Sequence, residues 1–472
     1  MNTLARRMLA AGAASIVALA PHPFVVPAYA ITPPVVDPAA MPPGGEPGPE
    51  EPLTMRGSCA ITGVLPGSDL GAPPGPQAFM NLPELWKSAG KGAGITVAVI
   101  DTGVSPSPRL PRLRGGGDYV VAGGDGLTDC DAHGTVVASI IAGAPSEADG
   151  FVGVAPDVEV LSIRQSSAAY SPEHPSSGDM QADRRAGTVS SLARAVVRAA
   201  DSGARVINMS VVACVPVLKP VDQTTLGAAL RYAAVEKDVV LVAAAGNVAN
   251  PDCSQNPDID ATNVEDPRNW TGVVTISTPS WFSQYVLSVS ATDAAGQPAV
   301  DDKGTEVSLS GPWVGVGAPG LFVEGFNEKG ELINSTFNAQ AGTLKPMSGT
   351  SYSTAYVSGL AALVRAKYPD LTAAQVIRRI EATAHPPAAV VDNRLGYGTI
   401  DPLAALNFDI SDLGPAKPAE LLTRPLVAPA PPPPPDRRPM VIALVGSAVL
   451  AAGLLVMLGV RRMAGRDTRT KG

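Results

Sequence analysis

The sequence is poor in aromatic side chains, in histidine and in runs of like charge. Aromatic residues make up 4% of the chain, and only four histidines occur in 472 residues. The net charge is -8, and no basic run lies outside the flanks of a C-terminal apolar segment, which argues against nucleic-acid binding. We predict no metal and no cofactor; calcium binding stays undecided, because no dense Asp/Asn/Gly loop with calcium-binding spacing occurs.

Both ends of the chain carry apolar segments that predict export and membrane attachment. Residues 1–30 combine a basic start with an apolar stretch and end in Ala28-Tyr29-Ala30, as a secretory signal peptide with an Ala-x-Ala cleavage site does. Residues 440–460 form an apolar run of about twenty residues, enough to cross a hydrocarbon core of roughly 30 Å as one helix. Arginines follow this run, so the positive-inside rule places the tail 461–472 in the cytoplasm. The chain between the two segments is therefore predicted to lie outside the cytoplasm.

Three short motifs, far apart in the chain, contain the residues of an acid–base–nucleophile relay. They read VAVIDTG around Asp101, DAHGT around His133 and SGTS ending at Ser351. A serine hydroxyl is a weak nucleophile at neutral pH, so an imidazole has to accept its proton and a carboxylate has to orient that imidazole. A fourth motif, VAAAGN, ends in Asn247, which can donate to an oxyanion together with the Ser351 backbone N–H. These residues predict a serine hydrolase.

Each motif has a commoner structural role when it occurs alone. Asp-Thr-Gly is usually a turn after a strand, and Gly-Thr-Ser before an apolar helix is usually an N-cap. A single histidine is more often structural than catalytic, but His22, His174 and His385 all stand beside prolines, as loop residues do. This leaves His133 as the candidate base, and the joint occurrence of the motifs in this order favours catalysis.

The order Asp, His, Ser separates this arrangement from those of chymotrypsin and the α/β-hydrolases. On its four motifs the chain resembles the subtilisin-like (subtilase) family over roughly residues 80–405. The resemblance implies an endopeptidase that acts on protein or peptide substrates. It also implies that Asn208, Met209 and Ser210 form the edge that pairs with an extended substrate backbone. Val211 and Val212 follow where glycines are frequent in the family, which suggests a more selective cleft.

The region 80–413, which we take as the catalytic domain, alternates apolar runs with helical patterns. Strands are predicted at 95–100, 158–163, 205–209 and 239–244, and helices at 134–142, 188–200, 225–235 and 351–368. Strands joined by helical crossovers indicate an α/β fold with a mostly parallel sheet covered on both faces, consistent with the three-layer subtilisin-like fold that the resemblance implies. The active site of such a sheet lies outside the carboxyl ends of its strands. Two polar stretches, 165–187 and 324–345, are predicted to be surface loops.

Four cysteines, Cys59, Cys130, Cys214 and Cys253, lie in the exported region. An even number in an oxidising compartment favours two disulfides, with three possible connectivities, over a zinc site, since no Cys-x-x-Cys spacing occurs. Cys214 and Cys253 follow successive strand regions at the same edge of the sheet, whereas Cys130 stands just before His133. We therefore predict the pairs Cys214–Cys253 and Cys59–Cys130.

Proline-rich stretches flank the catalytic domain. Residues 31–79 cannot bury enough apolar surface to fold alone, so we predict an extended arm lying on the domain; residues 414–439 form a linker to the apolar span. An exported subtilase with such an arm, two cysteine pairs, a linker and one C-terminal span closely resembles the mycosins, the proteases of type VII secretion systems. The resemblance implies a membrane-embedded protein whose partners are the membrane components of such a system, and an additional role in stabilising that complex. A scaffold with dispensable proteolysis and a free-standing surface protease remain the alternatives.

Overall fold

The computed structural model describes residues 31–174, 187–250, 252–339, 341–415 and 438–467. The predicted signal peptide, nearly all of the predicted linker and residues 175–186 of the first polar stretch lie outside these ranges. The chain divides into a large unit, Met1–Leu421, and a second unit, Leu422–Gly472.

The strands of the large unit are short and mostly buried. In chain order they are β1 Leu53–Met55, β2 Thr62–Gly63, β3 Thr96–Asp101, β4 Leu113–Asp118, β5 Glu159–Arg164, β6 Tyr170–Pro172, β7 Val206–Met209, β8 Ala213–Pro216, β9 Val240–Ala244, β10 Thr275–Thr278, β11 Val286–Thr292, β12 Val314–Pro319, β13 Gly325–Phe326, β14 Leu332–Ile333, β15 Ser335–Asn338 and β16 Thr343–Pro346.

Seven of these strands form the central sheet, in the order β12-β11-β9-β7-β3-β5-β4. All of its neighbours are parallel. Most residues of the central strands β3, β7 and β9 are apolar because helices cover both faces of the sheet. The four strands predicted from the sequence correspond to β3, β5, β7 and β9, and the predicted fold class is confirmed.

Helices pack on both faces of this sheet. They are α1 Gly75–Met80, α2 Leu82–Ala89, α3 His133–Ala142, α4 Val189–Asp201, α5 Thr224–Arg231, α6 Thr350–Lys367, α7 Ala373–Ala382 and α8 Pro402–Asn407; a π-helical turn, Tyr232–Glu236, continues α5. Side chains of β3 alternate between the two faces. Val97 and Val99 join the core that contains α3 and α6, whereas Ala98 and Ile100 join the core that contains α4 and α5.

The second polar stretch, 324–345, is not the surface loop that its composition predicts. It forms two antiparallel hairpins, β13–β14 and β15–β16. Phe326 is fully buried and meets Phe151 edge to face, with ring centroids 5.1 Å apart. The prediction was wrong because β13 and β14 have only two residues each, too few to show the alternation of apolar and polar residues that predicts a strand. The polar residues between the strands made the whole stretch resemble a loop.

The N-terminal arm lies extended on the catalytic domain. Its strand β1 pairs with β6, and β2 adds a third strand to the β15–β16 hairpin. Arg194 of α4 donates to the carbonyl oxygen of Glu46 at 2.9 Å, and Val36 packs against the α4–α5 core. The boundary predicted at residue 79 falls inside α1, whose last residue, Met80, is fully buried.

Two disulfides join segments that are distant in the sequence. Cys59 of the arm is bonded to Cys130, and Cys214 is bonded to Cys253, with Cα–Cα distances of 4.5 and 5.2 Å. This is the pairing that the sequence analysis favours. The first bond fixes the arm three residues before His133.

The second unit contains one helix, α9, Arg438–Asp467. Its segment Met440–Val460 has 21 residues, and none of its residues is buried. By length and composition this segment can cross a membrane, in agreement with the predicted span.

Candidate active site

The predicted site residues gather at the carboxyl edge of the sheet. Asp101 is the last residue of β3, and Asn247 follows β9 by three residues. The strand β7 lies between β3 and β9, and Ser210 follows it directly. Asp101 and Asn247 therefore stand on either side of Ser210 at the same edge of the sheet. His133 begins α3 and Ser351 is the second residue of α6.

Asp101 and His133 form a direct pair. The His133 Nδ1 lies 2.7 Å from Oδ1 of Asp101, whose carboxylate is fully buried and also accepts the backbone N–H of Thr102 at 2.7 Å. The ring of Tyr352 packs against the imidazole, with centroids 5.7 Å apart. Since Nδ1 faces the carboxylate, Nε2 is the ring nitrogen available to accept a proton.

The acidic residues around His133 favour its charged form. Burial of the imidazole is the largest single influence and lowers its pKa. The charge and the hydrogen bond of Asp101, together with the charges of Asp129 and Asp131, outweigh burial and raise the pKa of His133 to about 9. The imidazolium that forms when the base takes a proton is therefore well stabilised.

Asp129 ties the Asp-Thr-Gly and His-Gly-Thr motifs together. It accepts hydrogen bonds from Thr135 N (2.8 Å) and Thr135 Oγ1 (2.6 Å), and from Thr102 Oγ1 (2.9 Å). Burial raises the pKa of Asp129 to about 6, although these hydrogen bonds lower it. Gly134 is required here, because a Cβ would lie 2.1 Å from the Gly103 carbonyl oxygen. The sequence analysis did not identify Asp129. Its sign in the sequence is a second carboxylate two residues before Asp131, just ahead of the DAHGT motif.

Ser351 lies at the N-terminus of α6, where backbone N–H groups favour negative charge. Its Oγ donates to the Ser210 carbonyl at 3.2 Å, and the Ser210 Oγ donates to the Ser351 carbonyl at 3.1 Å. The hydroxyl therefore has to turn toward His133 Nε2 before it can lose its proton to that base.

The side chain of Asn247 is fixed by its contacts with Thr350. Its Oδ1 accepts the backbone N–H of Thr350 at 3.0 Å and the Thr350 hydroxyl at 3.2 Å. These bonds occupy the amide oxygen, hold the side chain against the first residue of α6 and leave Nδ2 as the group that can donate. A preorganised donor in this position can stabilise a tetrahedral oxyanion.

The assignment of Asn208 and Met209 to a substrate-pairing edge is wrong. Both are fully buried in β7, which is paired with β3 on one side and with β9 on the other, so no backbone edge is free there. The Asn208 side chain donates to Ser210 Oγ at 2.8 Å and accepts from Ser358 Oγ at 3.0 Å. The sequence identified the strand, but the residue at which its pairing ends depends on the two neighbouring strands. The role of Ser210 in pairing with a substrate backbone remains a prediction, because Ser210 lies just beyond the paired part of β7.

No group of three or more His, Cys, Asp or Glu side chains within the described ranges is arranged to hold a metal ion. The arrangement at the sheet edge can serve acyl transfer, because it brings together a serine hydroxyl, an imidazole, a buried carboxylate and an amide side chain.

Comparison with known proteins agrees with this geometry. The subtilase family model matches residues 92–398. Mycosin-3 of Mycobacterium tuberculosis is 48% identical over 434 residues, which cover 90% of this chain and 91% of the relative. The crystal structure of MycP1 from Mycobacterium smegmatis has a TM-score of 0.76 and 47% identity, covering 82% of this chain and 97% of that chain. A chain of the intact ESX-5 inner membrane complex has a TM-score of 0.76 and 48% identity, covering 92% of this chain and all of that chain (100%). The protein therefore belongs to the subtilase family of serine peptidases and, within it, to the mycosins.

Proposed function

We propose that this mycosin hydrolyses peptide bonds of exported proteins, with Ser351 as nucleophile, His133 as base and then acid, Asp101 as its orienting partner and Asn247 as oxyanion donor. The observation that carries the proposal is the 2.7 Å contact between His133 Nδ1 and the buried Asp101 carboxylate, at the sheet edge where α6 presents Ser351. A buried carboxylate in this place holds the imidazole with Nε2 toward the cleft.

The reaction proceeds in two halves. The Ser351 hydroxyl transfers its proton to His133 Nε2 while Oγ bonds to the substrate carbonyl carbon, and the carbonyl oxygen becomes an oxyanion between Asn247 Nδ2 and the Ser351 N–H. His133 then protonates the amine as the C–N bond breaks, which leaves an acyl-enzyme. A water molecule, deprotonated by His133, repeats the sequence and releases the acid.

Labelling with a serine-directed phosphonate fluorophore tests this function directly. The wild-type catalytic domain should label and cleave peptides, while Ser351→Ala should not label and should lose about 10⁴-fold or more in kcat. Ser353→Ala, two residues further along α6, is the matched control and should label normally. A folded wild-type domain that does not react contradicts the proposal.

We further propose that the protein is anchored by Met440–Val460 with its catalytic domain outside the cytoplasm, as a component of a type VII secretion membrane complex. Support comes from the apolar helix and from the relatives. One related structure is described as a protease that is an essential component of the ESX-1 secretion system, and another belongs to the ESX-5 inner membrane complex. Anchoring beside such a complex allows the chain to stabilise it independently of hydrolysis.

Complementation of a deletion strain separates the two roles. If anchoring is the essential role, Ser351→Ala restores secretion, whereas a chain with its span replaced does not. If Ser351→Ala folds and localises normally but does not restore secretion, hydrolysis is the essential function and the scaffold role is contradicted.

A further inference from the structure

Phe322 combines strained backbone with an exposed aromatic ring. Its φ is 53°, in the left-handed region, where Cβ is crowded by the neighbouring carbonyl in every residue except glycine. Its side chain is 65% exposed, so burial of the ring does little to offset this strain. Strained residues of this kind concentrate at functional sites, where the surrounding structure holds them in place. The combination points to a role for the ring outside the folded core.

The backbone at Phe322 is bound to the loop that leads into the nucleophile. Phe322 N donates to Ser348 Oγ at 3.1 Å. The next amide, Val323 N, donates to the Met347 carbonyl at 3.0 Å. Ser351 follows Ser348 by three residues, at the start of α6. The ring is therefore carried on a segment that is in direct contact with the nucleophile's own loop.

This segment continues to the helix that carries the base. A Cβ on Gly325 would lie 2.8 Å from Val136 Cγ1 of α3, and Phe326 N donates to Ser139 Oγ of the same helix at 3.1 Å. Because α3 begins at His133, the chain after Phe322 is in direct contact with the helix that carries the base. The base protonates the departing amine, so this half of the cleft receives the residues that follow the scissile bond.

The residue that follows Ser210 packs toward the opposite face of the sheet. Val211, which follows Ser210 at the end of β7, packs against the core of α4 and α5. The helices α3 and α6, which Phe322 and its neighbours contact, pack on the other face. The segment that carries the ring is thus attached to the α3 side of the sheet, whereas Val211 is attached to the α4–α5 side.

We propose that Phe322 forms an apolar wall of the leaving-group half of the cleft, and that it selects substrates with a large apolar side chain at the first or second residue after the scissile bond. The proposal rests on the hydrolytic function of Ser351 given above. The exposed ring gains contacts when it packs against an apolar side chain of the substrate. The strained backbone holds the ring in the position from which it can make these contacts.

Cleavage of peptide libraries tests the proposal. Peptides with mixed residues before the scissile bond, and with either leucine or serine at the two positions after it, are offered to wild type, Phe322→Ala and Phe337→Ala. Phe337 is the matched control, an aromatic residue of β15 that is 42% exposed and paired with the arm. We expect Phe322→Ala to lower kcat/KM for the leucine peptides about ten-fold relative to the serine peptides, the scale of a lost apolar contact. Phe337→Ala should leave the ratio unchanged.

Two results would overturn the proposal. One is an equal effect of Phe322→Ala on both peptide sets, including no effect. The other is a fall in melting temperature for Phe322→Gly with unchanged selectivity, since glycine relieves the left-handed strain and should melt at or above wild type unless the ring stabilises the fold. Phosphonate labelling of wild-type Ser351 distinguishes a failure of this proposal from a failure of the hydrolytic function. The label does not occupy the positions after the scissile bond, so loss of labelling contradicts hydrolysis and not the role of Phe322.

Discussion

The catalytic sheet and the N-terminal arm are held together by different physical means. The sheet buries continuous apolar strands between two helical layers, so its stability is distributed over many side chains. The arm has little apolar surface and is held by a few local attachments: the β1–β6 pair, β2, the Cys59–Cys130 bond and contacts with Arg194. Single substitutions in the sheet's active edge should therefore change chemistry, whereas changes in the arm should change stability.

The largest effect is expected from Asp101→Asn. The amide can keep the contact with His133 Nδ1 but favours the tautomer that puts a proton on Nε2, so the base is lost while the fold is retained. We expect kcat to fall about 10⁴-fold with little change in melting temperature. Peptide turnover and thermal melting measure the two quantities. A large loss of stability with retained activity would contradict the separation of chemistry from stability.

Removal of the arm should have the opposite signature. Deleting residues 31–74 removes the bond that closes a separation of 71 residues, which is worth about 4 kcal/mol in the chain-entropy model. We expect a clear drop in melting temperature and no rise in turnover per folded molecule. Cys59→Ala combined with Cys130→Ala is the matched variant that keeps the arm. A large gain in activity with unchanged melting would instead identify the arm as an inhibitor.

Asp131→Asn should move the pH profile without disabling the site. Asp131 contributes to the raised pKa of His133, and its carboxylate accepts from Ser167 Oγ at 2.6 Å and from Ala168 N at 2.8 Å. Hydrolysis needs neutral His133, so activity rises as pH rises through its pKa. Removing one negative charge lowers that pKa, and the acid limb of kcat/KM should shift by roughly half a unit to lower pH. A shift to higher pH would contradict this assignment.

The same pKa has the opposite consequence for stability. Because the folded pKa of His133 is raised above the ordinary 6.5, the charged pair with Asp101 stabilises the fold fully below that value. This contribution is lost as pH rises through the folded pKa, over the range in which the base becomes active. Melting curves across this range should therefore lose less stability in Asp131→Asn than in wild type.

The smallest effect is expected from Arg194→Ala. Its guanidinium donates to the carbonyls of Glu46 (2.9 Å) and Gly48 (3.4 Å) and lies over the ring of Tyr119. Loss of these partly exposed contacts should lower the free energy of unfolding by about 1 kcal/mol. Arg198→Ala, one turn further along α4, serves as a comparison outside the arm, since it donates to Gly116. Turnover should be unchanged in both variants.

The sequence predicted those features that depend on local pattern. Mainly apolar runs predicted β3, β5, β7 and β9, because most positions of a strand that is buried on both faces are apolar. The four motifs predicted which residues meet at the sheet edge, since their order and chemistry are specific to one arrangement. The pair Cys214–Cys253 could be argued from strand order, because successive strand ends lie at one edge of the sheet. The pair Cys59–Cys130 then joined the two remaining cysteines.

Other features depended on neighbours that no local pattern contains. Whether Asn208 and Met209 offer a free edge depends on β3 and β9, which come from distant parts of the chain and pair with both sides of β7. Phe326 is buried because Phe151 and Arg109, from distant parts of the chain, pack against its ring. Asp129 gained a role because folding brought Thr102 and Thr135 to its carboxylate. Sequence by itself therefore determined the fold class and the chemistry of the site, since periodicity and residue type are local properties. Only the tertiary structure decided the exposure, edges and hydrogen-bond partners, because these arise from contacts between segments far apart in the chain.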